Sequence, residues 1–180
     1  MHHTVMLMTD NKTLADILNG NASARDEELT DAMRETQDTL SEWLCGAWRP
    51  WREEGPTRWI YRELNEQADA LAKMGRQGET TMHEEKVDWT QVQRPLKCWA
   101  ASDASMSEDK AGWGAYATLW TGTEWIPWLR ATAPCDSKNI LDAELEGLFQ
   151  IQSLIQEFAV DLLRGASAFL EGPGGREVRF

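Results

Sequence analysis

The apolar and polar positions divide the chain into two differently patterned stretches. His3 to Thr9 is β-branched and apolar on both faces, the pattern of a central strand covered on either side. Asn11 to Leu18 follows with helical spacing, and Asn19-Gly20-Asn21 supplies a stop. Asp26 to Leu44 repeats apolar or small residues at Leu29, Met33, Thr36, Leu40 and Leu44, with acidic residues near its start, where a helix dipole favours them. This spacing predicts a long helix. Trp48 to Pro56 contains two prolines and a glycine and reads as a loop. Arg58 to Glu63 reads as a short strand running into a helix from about Asn65 to Met74.

Gly75 to Pro95 is polar, holds the charged run Glu84-Glu85-Lys86 and has no clear period, so residues 77–95 are expected to be a linker or a long surface loop. After it the pattern changes to strands: Leu96 to Asp103, Gly112 to Trp120 and Glu124 to Thr132. Turns at Ser107–Lys110 and Thr121–Thr123 make these a three-stranded meander. Asn139 to Phe158 is the clearest amphipathic helix. Residues 161–180, rich in glycine and without period, are expected to be a disordered tail. The pieces make one composite α/β domain from residues 1–76 and 96–160.

Composition narrows the classes. At 180 residues, 42% hydrophobic and with ten Trp, the chain has the apolar surface for one core and is not a disordered polymer. Cys45, Cys98 and Cys135 are odd in number and lack CxxC spacing, which suits a reducing compartment and predicts neither a disulfide framework nor a zinc site. Residues 1–8 do not read as a signal peptide, and no apolar run approaches the roughly 20 residues of a membrane span. A soluble intracellular protein, cytoplasmic or nuclear, with no membrane partner, is the expectation. Eighteen basic residues stand against 30 acidic ones, a net charge of −12, which weakens any nucleic-acid affinity unless cations cluster. Arg49, Arg52, Arg58 and Arg62, interleaved with Trp48, Trp51 and Trp59, form such a cluster, either for phosphate contacts and stacking or as a solvated rim with Trp covering the sheet.

Four acidic residues have distinctive settings. Leu141, Glu144, Leu148, Ile151 and Ile155 are three or four apart and share one helical face, so Glu144 lies within an apolar stripe and needs a metal or a basic partner; Asp142 and Glu146 point elsewhere. Asp103 closes Trp99-Ala100-Ala101-Ser102, where an isolated Asp is commonly a turn residue. Asp10 ends the first apolar run and is placed either to cap the next helix or to serve a site. Asp69 lies in Arg62-Glu63-Leu64-Asn65-Glu66-Gln67-Ala68-Asp69-Ala70-Leu71-Ala72, whose Ala68, Leu71 and Ala72 make a packing face small enough for close approach to a sheet.

These four settings together resemble the active site of the ribonuclease H family. An Asn four residues before an Asp at a helix start is similar to that family's C-terminal signature, and Asp103-Ala104-Ser105 to its Asp-Gly-Ser or Asp-Ala-Ser motif. The family presents the equivalents of Asp103, Glu144, Asp10 and Asp69 in that order, whereas here the second half comes first. The resemblance therefore implies a circular permutant, or the end of one tandem copy followed by the start of the next. It implies a five-stranded mixed sheet flanked by helices, with residues 1–76 as the fold's C-terminal half and 96–160 as its N-terminal half.

It also implies chemistry. Asp103, Glu144, Asp10 and Asp69 would be the catalytic metal ligands for two Mg²⁺ ions, with Mn²⁺ as a substitute, hydrolysing the RNA strand of an RNA:DNA hybrid. Ser105, Asn65, Arg62 and Asn11 are the expected substrate contacts, and a monomer or a domain-swapped homodimer the expected assembly. Two departures stand out. No His lies between His3 and His83, which is similar to the His-less branch of plant proteins and retroelements, and Asp26 to Leu44 is acidic where some bacterial members carry a basic handle. Slow turnover, hybrid binding through another chain, or a catalytically inactive binding module would follow from these departures.

Overall fold

Three long strands form the platform of the molecule: β5 (Lys97–Ser107), β6 (Lys110–Trp120) and β7 (Trp125–Cys135), each antiparallel to the next. The computed structural model describes residues 3–23, 48–50 and 57–164, together with positions 34 and 38. The helix expected over Asp26–Leu44, Cys45, the side chains of Trp48, Arg49, Trp51 and Arg52, and residues 165–180 lie outside the described residues.

Strand β1 (His3–Thr9) runs parallel to β5 and pairs with it from Thr4↔Lys97 to Met8↔Ala101. Its other edge is shared end to end by two short parallel strands, β2 (Trp48–Pro50) against His3–Val5 and β3 (Thr57–Trp59) against Leu7–Thr9. A last strand, β4 (Thr81–Glu84), is antiparallel on the outer edge of β7. Among the described residues, seven strand segments thus fill six positions of one mixed sheet in the order β2/β3-β1-β5-β6-β7-β4.

Among the described residues three helices accompany the sheet: α1 (Lys12–Leu18), α2 (Glu66–Arg76) and α3 (Ile140–Arg164). Strand alternation assigns the faces. Val5 and Leu7 of β1, with Trp113, Ala115, Ala117 and Leu119 of β6, join α1 and α3 in the main core through Leu14, Ile17, Leu148, Ile151 and Ile155. On the opposite face a smaller cluster of Ala68, Ala101 and Tyr116 lies under α2. There the helix meets the sheet at backbone distance: a Cβ on Gly112 would stand 2.0 Å from Arg76 N, and one on Gly114 2.2 Å from Ala72 N. The small face of Ala68 and Ala72 read from the sequence is fully buried in this contact. No helix among the described residues is long and apolar enough to cross a membrane.

Several expectations change. Residues 77–95 are not a structureless stretch: β4 lies within them, Val92 is buried, and Trp89 packs edge-on against Trp128 with centroids 6.0 Å apart. β7 would otherwise present an open row of N–H and C=O groups, and β4 closes it, so the sheet has six positions rather than five. Trp48–Pro50, expected as loop, is a strand because the start of β1 offers it an edge. The strand expected over Arg58–Glu63 shortens to Thr57–Trp59, since β1 ends and Ile60 N makes a last bond to Thr9 O; a 3-10 turn, Arg62–Leu64, follows. β5 continues past Asp103 to Ser107 because β6 pairs with it that far, and α3 runs beyond Phe158 to Arg164, into the expected tail.

Candidate active site

The site begins with a step in the sheet. β1 stops at Thr9, whereas β5 continues to Ser107 with β6 as its ladder partner. Asp10 and Asp103 lie just past the last β1–β5 pair, Met8↔Ala101. Asp103 is therefore mid-strand, opposite Gly114, and not the turn residue its local sequence allows. Asp10 does not cap α1 either: Asn11 is the N-cap, its Oδ1 accepting from Leu14 N at 3.1 Å, while Asn11 N donates to Thr9 Oγ1. With no strand among the described residues on the β1 side of β5 here, residues from both faces meet. Glu144 comes from α3, and Asp69 from the first turn of α2.

A hydrogen-bond frame holds the step. Asn65, fully buried where α2 starts, donates from Nδ2 to Ser102 O at 3.0 Å and to Asp10 Oδ1 at 3.3 Å. One side chain thus satisfies a β5 carbonyl that lacks a strand neighbour and ties Asp10 to it. Arg62 Nε pairs with Asp10 Oδ2 at 3.2 Å, and Trp59 Nε1 donates to Asp10 O at 3.0 Å. Asn19 clamps β3 to α1, accepting from Thr57 N at 3.1 Å and donating to Thr57 O at 2.7 Å. Asp69 is paired with Lys73 at 2.5 Å, one helical turn along.

Burial then separates the carboxylates. Asp103 is 2% and Glu144 6% exposed, and Asp103 Oδ2 and Glu144 Oε2 are buried without a hydrogen-bond partner. Burial, with the nearby Asp10 charge adding to it, pushes Asp103 up to about 6, against a bond from Ala104 N. Burial pushes Glu144 up to about 7; a side-chain hydrogen bond from Asn11 pulls the other way, and Asp103 and Asp10 add repulsion. The field of Asp69 also reaches Asp103. Arg62 is held charged more firmly than usual, first by Asp10 and then by Asp103. An isolated buried carboxylate without a partner is costly, and two of them side by side are more so.

Asp103 thus feels the charges of Asp10 and, more weakly, Asp69, and Glu144 feels those of Asp103 and Asp10. Among the described residues, no group of three or more His, Cys, Asp or Glu side chains stands close enough as placed to hold a metal ion. As placed, Arg62 takes one oxygen of Asp10 and Lys73 takes Asp69. The donor set still fits a hard divalent cation, being all oxygen with two buried oxygens unpartnered.

Of the expected substrate contacts, Arg62 is exposed beside Asp10 and Ser105 is half-buried two residues along β5 from Asp103. Asn11 is engaged with α1 and Glu144, and Asn65 is enclosed as a positioning residue. Ser102 and Lys73 escaped the sequence reading. The i,i+4 spacing of Asp69 and Lys73 was a usable signal for the second; nothing local marked the first. Comparison with protein-family models, curated proteins and solved structures finds no match to this chain.

Proposed function

We propose that the chain is a Mg²⁺-dependent nuclease of ribonuclease H type, acting on the RNA strand of RNA:DNA hybrids. The observation that carries this reading is the pair of unpartnered buried oxygens, Asp103 Oδ2 and Glu144 Oε2, beside Asp10 at the step between β1 and β5. A fold that buries carboxylates in this way calls for compensating positive charge. The strand arrangement supports the reading too. An antiparallel β5-β6-β7 meander, with β1 parallel on the free edge of β5, is the order of strands the resemblance requires once the two halves are exchanged. Residues 77–95 then join the fold's natural end to its natural start, with β4 fastening them to the sheet.

Asp10, Asp103, Glu144 and Asp69 would hold the ions, and divalent cations there supply the charge that phosphodiester hydrolysis needs at the attacking water and the leaving oxygen. The chain's own residues prepare the place. Asn65 fixes Asp10 relative to β5, and Arg62 occupies the side of the Asp10 carboxylate that a divalent cation would take. Near neutral pH without metal, Glu144 holds a proton part of the time, which lessens repulsion within the cluster.

The test is cleavage of a labelled hybrid in Mg²⁺ by the natural chain and by Asp103→Asn at matched fold content. Loss of cleavage by about a hundredfold or more in the variant is expected. A folded natural chain that cleaves nothing would sink the proposal. A second reading, a catalytically inactive nucleic-acid- or protein-binding module, is favoured by the net charge of −12, and a chain that folds but does not bind Mg²⁺ would support it.

A further inference from the structure

Among the described residues, three of the four exposed large hydrophobic side chains lie in one short segment beside the candidate site: Trp59, Tyr61 and Leu64, at 38%, 64% and 66% exposure. An aromatic pair left in water has a cost that ordinary packing would remove, so its position matters. Trp59 and Tyr61 form a tilted wedge, ring centroids 4.8 Å apart at 60°. The wedge is anchored to the site, because Trp59 Nε1 is bonded to the backbone oxygen of Asp10. Arg62, whose side chain is 77% exposed, follows immediately, and exposed Lys12 stands two residues past Asp10. In a chain of net charge −12, an aromatic pair flanked by cations matches a polyanion with flat rings.

We propose that the Trp59–Tyr61 wedge takes an unpaired nucleobase from the strand that continues past the site, with Arg62 on a neighbouring phosphate. The inference rests on the nuclease reading for where that strand runs. It makes the preferred substrate a hybrid with a single-stranded flank rather than a blunt one.

The experiment compares fluorescence anisotropy of labelled blunt and tailed RNA:DNA hybrids, in EDTA so that nothing is cut, for the natural chain, Trp59→Ala, Tyr61→Ala and Trp59→Phe. Thermal melts of each variant check the fold. The natural chain is expected to bind the tailed hybrid about tenfold more tightly, since one stacked base contributes on that scale. Tyr61→Ala and Trp59→Ala should lose the preference, while Trp59→Phe, which keeps a ring but not the bond to Asp10, should retain most of it. Equal binding of both hybrids by the natural chain would overturn the inference, as would a preference that survives both alanine variants. Concentration-dependent self-association that shields Trp59 would overturn it as well, assigning the wedge to a second copy of the chain. Tail-dependent binding without Mg²⁺-dependent cleavage would sink only the nuclease reading, and cleavage without tail preference only the wedge.

Discussion

The two faces of the sheet are packed by opposite means. Under α3 the contact is made by large side chains, Leu145, Leu148, Ile151 and Ile155 against Trp113, Trp128 and Leu129, and the helix rests on a thick apolar layer. Under α2 that layer is nearly absent: Ala68, Ala72 and Gly75 meet Gly112 and Gly114, and backbone lies against backbone. Thr132 helps, its hydroxyl donating to Leu71 O at 2.6 Å. A thick layer surrounds whatever it carries, and Glu144 is accordingly buried and pushed up to about 7. A thin layer leaves the helix surface near water, and Asp69 keeps Lys73 as a neighbour. The difference teaches that two carboxylates of one site are placed under unlike constraints. One is held by what fills the core, the other by what is left out of it.

If that contrast is right, removing atoms should damage the first face and adding them the second. Leu148→Ala is expected to cost about 2–5 kcal/mol through lost burial and the cavity left behind, read as a fall in urea midpoint. A loss well under 1 kcal/mol would mean that α3 does not depend on that layer. Next comes pH. Glu144 titrates higher in the fold than its ordinary 4.5, so its contribution to stability is full below about pH 4.5 and is lost as pH rises through about 7. The melting temperature of the metal-free chain should fall across that window, the stability lost being on the order of 3 kcal/mol for this residue. Glu144→Gln should flatten the fall and stabilise the metal-free chain above pH 7. Mg²⁺ at pH 7.5 should raise the melting temperature of the natural chain more than that of the variant. A slope unchanged by the substitution would show that Glu144 is not the group that carries it.

Gly114→Ala tests the thin face. Its new methyl would meet the Ala72 backbone, so about 1–3 kcal/mol should be lost by overpacking, together with hybrid cleavage, because the helix bearing Asp69 must move. Full stability in that variant would mean that α2 tolerates separation. The smallest effect belongs to Lys73→Ala, where an exposed i,i+4 pair contributes about 0.3–0.5 kcal/mol. A cost above 1 kcal/mol would show Asp69 to be far less solvated than its setting indicates.

Legibility in the sequence followed the same division. β1, α1, the meander and α3 could be read because each carries its own period of apolar residues, and Glu144 stood out by interrupting one. β2 and β4 could not, since three or four residues such as Thr81-Met82-His83-Glu84 carry no period and become strands because an edge waits for them. Small residues announced the close approach of α2, but not its partners Gly112 and Gly114, which are 36 or more positions away in the chain. Asp103 was found through its neighbours, while its mid-strand position depends on how far β6 pairs with β5, and its open edge on where β1 stops, facts that belong to other segments. Ser102 joined the site through three-dimensional placement alone, whereas Lys73 was marked in the sequence by its i,i+4 spacing from Asp69.

That stopping point has a wider consequence. The candidate site is cut into the sheet by a difference in strand length: β1 gives out at Thr9 and β5 does not. A notch of this kind is indifferent to the direction of assembly. It asks that one rod be shorter than the rod beside it, and it makes no demand on which was laid first or on how their far ends are joined. The connections can be cut, lengthened or rerouted around the rim, and the notch keeps its shape.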